Sequence, residues 1–346
     1  MRRFPSFIVL ASLASPCFAG DLPTVDNPAA KEMIDQFVKD RALLQSPDLF
    51  AMPNPVPAWP CDVPETERYK LAGLMMAHPE LRRDIEKSTR KMMREMGIAN
   101  SPGTTYSNIQ IIPLKAQCEA GKLEGELQIL ASYDSRMEIA TTTPMGAEIV
   151  KGTSTTNMHF LVRSRRTMHA GAEQGMLTAF METTTRTDTH YDNAQMEAQM
   201  QKSSKELGLN KPVMSRSINY TSKEGIYASF TESKDKQVSG GLFGVSVKEV
   251  PSLLAMFMTP VDEHRRRTET YKDGKLLGVS WMKDNKPHGE QIIYSDNYLK
   301  KNGMRIDQMT NMENAREVTI DGVDLIETRN CYQNGVPIKT DKCSNE

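Results

Sequence analysis

YKDGKLLGVSWMKDNKPHGEQIIYSDN, residues 271 to 297, decides how the long C-terminal part of this chain is read. Asp273-Gly274 is a tight-turn dipeptide, because Gly and Asn accept positive φ at little cost. A shared spacing surrounds it: a Gly or Asn, then Lys, two residues, then Gly. It occurs as Gly274 to Gly278, as Asn285 to Gly289 and, far upstream, as Gly121 to Gly125. The turn reverses one strand into the next. The second Gly then falls inside the following strand, where a missing side chain lets a neighbouring backbone or aromatic ring approach. Tyr271, just before the turn, is the ring placed to cover it, and Tyr294 repeats it one unit later. Stacked units of this kind bury a shared face.

Tyr271, Asp273-Gly274-Lys275-Leu276, Gly278, His288-Gly289-Glu290 and Tyr294 together give this stretch its family likeness. It resembles the MORN-type repeat, in the variant found in bacterial YwqK-like proteins. The likeness covers one unit at 271–297, a fragment at 119–126 and a trace at 332–335. It implies a hairpin scaffold that presents an extended sheet for protein or lipid contact, with no catalytic residues. The same residues also read as ordinary hairpin turns of an unrelated β protein.

Upstream, strand formers dominate from about 107 onward. Segments 107–112, 126–133, 157–163 and 176–184 alternate as strands do. Segments 215–220 and 226–231 flank the turn TSKEG as a hairpin. Helix formers interrupt at 193–208, and the apolar run at 250–258 is expected to form a second short helix. Ser239 to Gly244 reads as a flexible, glycine-rich loop. Residues 107–346 therefore form one large, mainly antiparallel β domain.

Residues 20–100 read as a helical N-terminal region. Asn27-Pro28 is an N-cap and N1 pair, followed by AAKEMIDQFVKDRALL with Met33, Ile34, Phe37, Val38 and Leu44 near one face. Prolines at 47, 53, 55, 57, 60 and 64 make a stiff, extended linker. Pro64 opens a second helix through about His78. Pro79 opens a third that Gly97 stops, with Leu81, Ile85, Met92, Met93 and Met96 on its buried side. The fold class expected is thus α+β.

The first nineteen residues read as a cleavable export signal: Arg2 and Arg3, then the apolar FIVLASLA, then Pro16 and a cut after Ala19. That apolar run is far shorter than the roughly 20 residues needed to span a bilayer. The alternative, lipid attachment at Cys17, wants a small residue where Pro16 stands. Loss of Cys17 leaves Cys61, Cys118, Cys331 and Cys343, an even set suited to disulfides in an oxidising periplasmic or extracellular space. The expected pairs are Cys331–Cys343, across a short turn-rich stretch, and Cys61–Cys118.

Charge argues against nucleic acid as a partner: 43 Lys and Arg face 44 Asp and Glu. Basic clusters at 82–83, 163–166 and 265–267 read as solvated faces. No HExxH, GxSxG or Walker motif occurs, and the SxxK matches at 88–91 and 233–236 lack a KTG partner. His159, His169 and His190 fall in or near strands, and nothing in the sequence requires them to meet. Methionine is abundant, at 23 residues. Met92, Met93 and Met96, with His78, are a soft-ligand set suited to Cu(I), yet at helical spacing methionine more simply fills a core. The sequence points to an exported, non-enzymatic protein that binds a protein or envelope component through its sheet and needs no cofactor. A copper carrier is the alternative, and an envelope enzyme with scattered residues is a further one. Mass spectrometry of the unreduced mature chain should find no free thiol and the pairs Cys61–Cys118 and Cys331–Cys343; four alkylatable thiols would contradict this.

Overall fold

A computed structural model of the chain describes residues 22–95, 103–145, 148–206, 211–241, 244–296, 314–320, 322–339 and 343. The segment expected to be an export signal, Met96, Gly97 and the side chains of Met92 and Met93 lie outside the described residues. The described chain is mostly antiparallel sheet with a few helices. The helices are α1 (Pro28–Leu44), α2 (Glu65–Leu71), α3 (Pro79–Glu95) and α4 (Ala194–Glu206). The first strands are β1 (Gly103–Glu119), β2 (Lys122–Met145), β3 (Glu148–His169) and β4 (Ala172–Tyr191). Then come β5 (Val213–Thr221), β6 (Tyr227–Gly241), β7 (Gly244–Pro260), β8 (Arg265–Lys272), β9 (Lys275–Lys283) and β10 (Lys286–Asp296). The last are β11 (Ala315–Ile320), β12 (Val323–Gln333) and β13 (Val336–Ile338).

All the described strands join one sheet. Each of β1 to β10 pairs with its sequence neighbours, and the far end runs β10-β12-β11 with β13 beside β12. A direct row crosses β2 to β8, from Leu130 through Arg163, Phe180, Ile218, Phe230 and Ala255 to Tyr271. Side chains directly opposite in adjacent strands share a face, so this row is an apolar stripe broken by one arginine.

α1 covers that stripe. Asn27 caps it, its side chain accepting from the amides of Ala29 (2.9 Å) and Ala30 (3.2 Å). Ala30, Met33, Phe37, Asp40 and Leu44 recur at helical spacing and are buried. Phe37 stacks on Phe230 with ring centroids 4.3 Å apart. Val38, expected on the same face, is instead 54% exposed. Asp40 and Glu232 are buried carboxylates, and both are satisfied. Asp40 accepts from Gln36 (3.0 Å), Tyr220 Oη (3.2 Å) and Arg165 (3.4 Å). Glu232 accepts from Arg41 Nε (2.6 Å) and from Gln45. Arg216 donates to the carbonyl of Leu44 (2.8 Å), closing the helix C-terminus.

The opposite face at the β1–β3 end is covered by the end of the proline-rich linker and by α2. Cys61, Val63 and Leu71 pack with Leu123, Leu127, Ile129 and Met168. The Cys61–Cys118 disulfide ties this segment to β1, with Cα atoms 5.5 Å apart, and Cys331–Cys343 clips the tail to β12. Arg166, 7% exposed, reaches Glu173 (2.7 Å) and the carbonyl of Leu71. Arg163 donates to the carbonyl of Leu49 (3.2 Å). The 163–166 cluster is therefore interior wiring rather than a solvated face.

Three further expectations change. Residues 250–258 are strand, because Leu253, Ala255 and Phe257 turn to the core while Leu254 is exposed, a period of two. The second helix ends at Leu71, where Gly73 takes φ +72°, and a 3₁₀ turn follows at 75–77. Ser239 to Gly241 finish β6 and pair with Gly244 to Ser246 of β7, so these glycines are strand rather than flexible loop, and Leu242 and Phe243 lie outside the described residues. Within 271–297 the turn at Asp273-Gly274 has φ +47° and +76°. At Gly278 a β-carbon would sit 2.8 Å from the carbonyl oxygen of Ile292. A neighbouring backbone, and not Tyr271, makes the close approach; Tyr271 turns into the core against Phe257 (5.9 Å). Gly289, at φ +75°, lies in β10, and Tyr294 stands opposite Glu327 on β12.

Phe37→Ala should cost about 3–5 kcal/mol, the usual loss for a fully buried aromatic, while Val38→Ala should change stability by less than about 0.5 kcal/mol. Urea unfolding followed by circular dichroism measures both; equal costs would contradict the docking of α1.

Candidate functional site

Beyond the end of α1, the face it covers continues as polar rows on β1 to β4. Asp134 stands opposite His159, and His159 opposite Thr184. One step further along the strands, Arg136, Asn157 and Arg186 form the next row. These residues, with Thr105 and Ser107, line an open groove of about 450 Å³. Long, regularly paired strands bring them together, so their register fixes the site.

A bulge in β1 between Ser107 and Gln110 breaks that regularity. Asn108 sits in it at φ +52°, a left-handed conformation that asparagine tolerates better than most side chains. The bulge brings its amide to Asp134 Oδ2 at 2.6 Å, while Asp134 Oδ1 takes the Nδ1 hydrogen of His159 at 2.7 Å. These bonds, Asn108 first and His159 second, hold the Asp134 carboxyl below its ordinary value of 3.8. With Nδ1 donating to a carboxylate, His159 presents Nε2 to the groove. Arg136 binds Glu138, and Arg186 binds Asp188 through Nε and Nη2 (3.3 and 3.2 Å), each two residues on along its own strand.

The other histidines disperse. His169 pairs with Glu124 (2.9 Å), His190 with Glu197 (3.1 Å) and His264 with Asp284 (2.8 Å). His159 and His169 lie on one strand, about 34 Å apart at the usual strand rise. His78 is buried edge-on to Tyr69, and its Nδ1 has no hydrogen-bond partner. His288 accepts from the amide of Asn334 (3.4 Å). Among the described residues, no group of three or more His, Cys, Asp or Glu side chains is arranged to hold a metal ion. No described helix is long and apolar enough to cross a membrane. Sequence reasoning weighed His159 but missed Asp134, Asn108 and the two arginines. The one signal for them was the hairpin register, which sets Met145 against Glu148 and thereby Asp134 against His159.

The chain matches no family model, no curated protein and no solved structure.

Because its folded pKa is depressed, Asp134 contributes stability that is present above the ordinary carboxylate range and is lost as pH falls through the folded value. Asn108→Ala should raise the Asp134 midpoint toward 3.8, read by carbon-detected NMR titration. An unmoved midpoint would remove Asn108 as the principal cause.

Proposed function

We propose that this chain is an exported, non-enzymatic protein whose sheet surface binds a protein or another component of the cell envelope. The observation that carries the reading is the uneven covering of one very wide sheet. α1 takes one face over its middle strands, and residues 61–71 take the other face at the β1–β3 end. Outside those patches, strand side chains such as Met214 and Ile293 stand 55% and 52% exposed, and the polar groove lies open beside Met214. An extended, rigid sheet with exposed apolar and polar side chains offers area for a partner without ordering cost. Export rests on the leader at 1–19, and the two disulfides suit an oxidising compartment. The hairpin unit at 271–297 supports the same role through its likeness to repeats that present a sheet for contact.

Expression of the full chain in a bacterial host, with fractionation and N-terminal sequencing, should recover a periplasmic or secreted form starting at Gly20. A photo-crosslinking residue at Met214 or Ile293 should give discrete envelope adducts, whereas one at Val56 of the proline-rich segment should not. An uncleaved cytosolic chain, or the same adducts from all three positions, would contradict the proposal.

A further inference from the structure

The groove on β1–β4 carries charge that the fold does not need. Of its lining side chains, Arg136 and Arg186 are cationic and Asp134 anionic, so the lining is net positive even with His159 neutral. Asp134 is already committed on both oxygens, to Asn108 and His159. The guanidiniums are committed only in part. Each has five N–H donors; Arg136 uses one on Glu138, and Arg186 uses its Nε and Nη2 on Asp188. Glu138 and Asp188 stand one row further along the strands, outside the lining. Both pairs are exposed, and exposed pairs of this kind hold their geometry weakly.

Arg136 and Arg186 flank Asn157 on the next strands. Their Cα atoms are therefore about 10 Å apart, two strand spacings, and side chains of arginine length from both sides can reach the space above Asn157. His159, two residues along β3 on the same face, approaches from a third direction. The hydroxyls of Ser107 and Thr184 add to this lining, while that of Thr105 already donates to the carbonyl of Arg136 (3.5 Å). Paired guanidiniums match the oxygens of a tetrahedral anion. A volume of about 450 Å³ leaves room for more than the anion, and the hydroxyl side suits a polyol.

We propose that this groove binds a phosphate ester of a polyol, with Arg136 and Arg186 gripping the phosphate over Asn157, and with His159 Nε2 accepting a hydrogen bond from the alcohol that the Ser107 and Thr184 hydroxyls also hold. This rests on the binding role above and names the chemistry of one place on that surface. The same group is carried by free sugar phosphates and by lipid headgroups, so the test separates them.

The mature full-length chain is titrated by calorimetry with inorganic phosphate, with glycerol 3-phosphate, and with phosphatidic acid in phosphatidylcholine vesicles against phosphatidylcholine alone. Saturable binding of glycerol 3-phosphate, tighter than inorganic phosphate, is expected. The double variant Arg136→Gln/Arg186→Gln should weaken it at least tenfold with an unchanged thermal melt. Arg266→Gln, on β8 and outside the groove, should leave it unchanged. Stronger binding to phosphatidic acid vesicles than to the free ester assigns the lipid source; the reverse assigns the soluble one. No saturable binding to any probe at millimolar concentration, or binding indifferent to the double variant, overturns the proposal. If envelope adducts at Met214 or Ile293 persist in that event, only the phosphate site falls and the wider binding role stands.

Discussion

An open antiparallel sheet of this width buries nothing by itself, and the contact that turns it into a folded body is the docking of α1 across its apolar row. Phe37 lies flat on Phe230, and Met33 and Leu44 fill the row to either side. Apolar contact alone would accept the helix at several positions. The charges select one. Burying a carboxylate costs several kcal/mol unless it is paired and hydrogen-bonded, and Asp40 finds its three donors only where Tyr220 and Arg165 stand. Glu232 is satisfied from the next turn of the helix, by Arg41 and Gln45. A shift of one turn would take Asp40 away from Tyr220 and Arg165, leaving it only Gln36 of its own helix, and would take Arg41 and Gln45 away from Glu232. Specificity in this core therefore comes from its polar members, and its stability from its aromatic ones.

That placement determines what remains open. α1 ends near Glu232 and Arg216, and the strands β2 to β4 run on well past it. Their continuing rows keep the same facing, so the groove of Asp134, His159, Arg136 and Arg186 is the uncovered extension of the surface on which the helix rests. The linker after α1 passes to the other face, where the Cys61–Cys118 bridge fastens it beside β1. In a chain-entropy account a bridge across 57 residues adds about 4 kcal/mol by restricting the unfolded state. The edge strand β1 also carries Pro113, Lys115 and several register shifts, features that discourage edge-to-edge pairing.

Local chemistry made much of the fold legible in the sequence. Asn27-Pro28 announced α1 because a cap is a contact within a few residues. The turns at Asp273-Gly274 and TSKEG were readable for the same reason. Residues 250–258 misled because a short apolar run of Leu, Ala, Met and Phe fits a buried helix as well as a buried strand; only its pairing with β6 and β8 decides. Asp40 escaped notice because a carboxylate inside a helical stripe looks like a solvated position until its partners, more than a hundred residues away, are known. The groove was less legible still. Its residues come from four strands, none forms a local motif, and Asn108 is informative only through a bulge that no local signal marked. The arginines at 163–166 were visible as charge, but their carbonyl and carboxylate partners are tertiary.

The central claim is that α1 and the middle of the sheet form one cooperative unit held by the Phe37 and Asp40 contacts. Native-state hydrogen exchange tests it most directly. Amides of α1 should share the slowest, globally unfolding exchange class with β4 to β7, and Asp40→Ala should speed both together. Rapid exchange across α1 while the sheet stays protected would contradict the account.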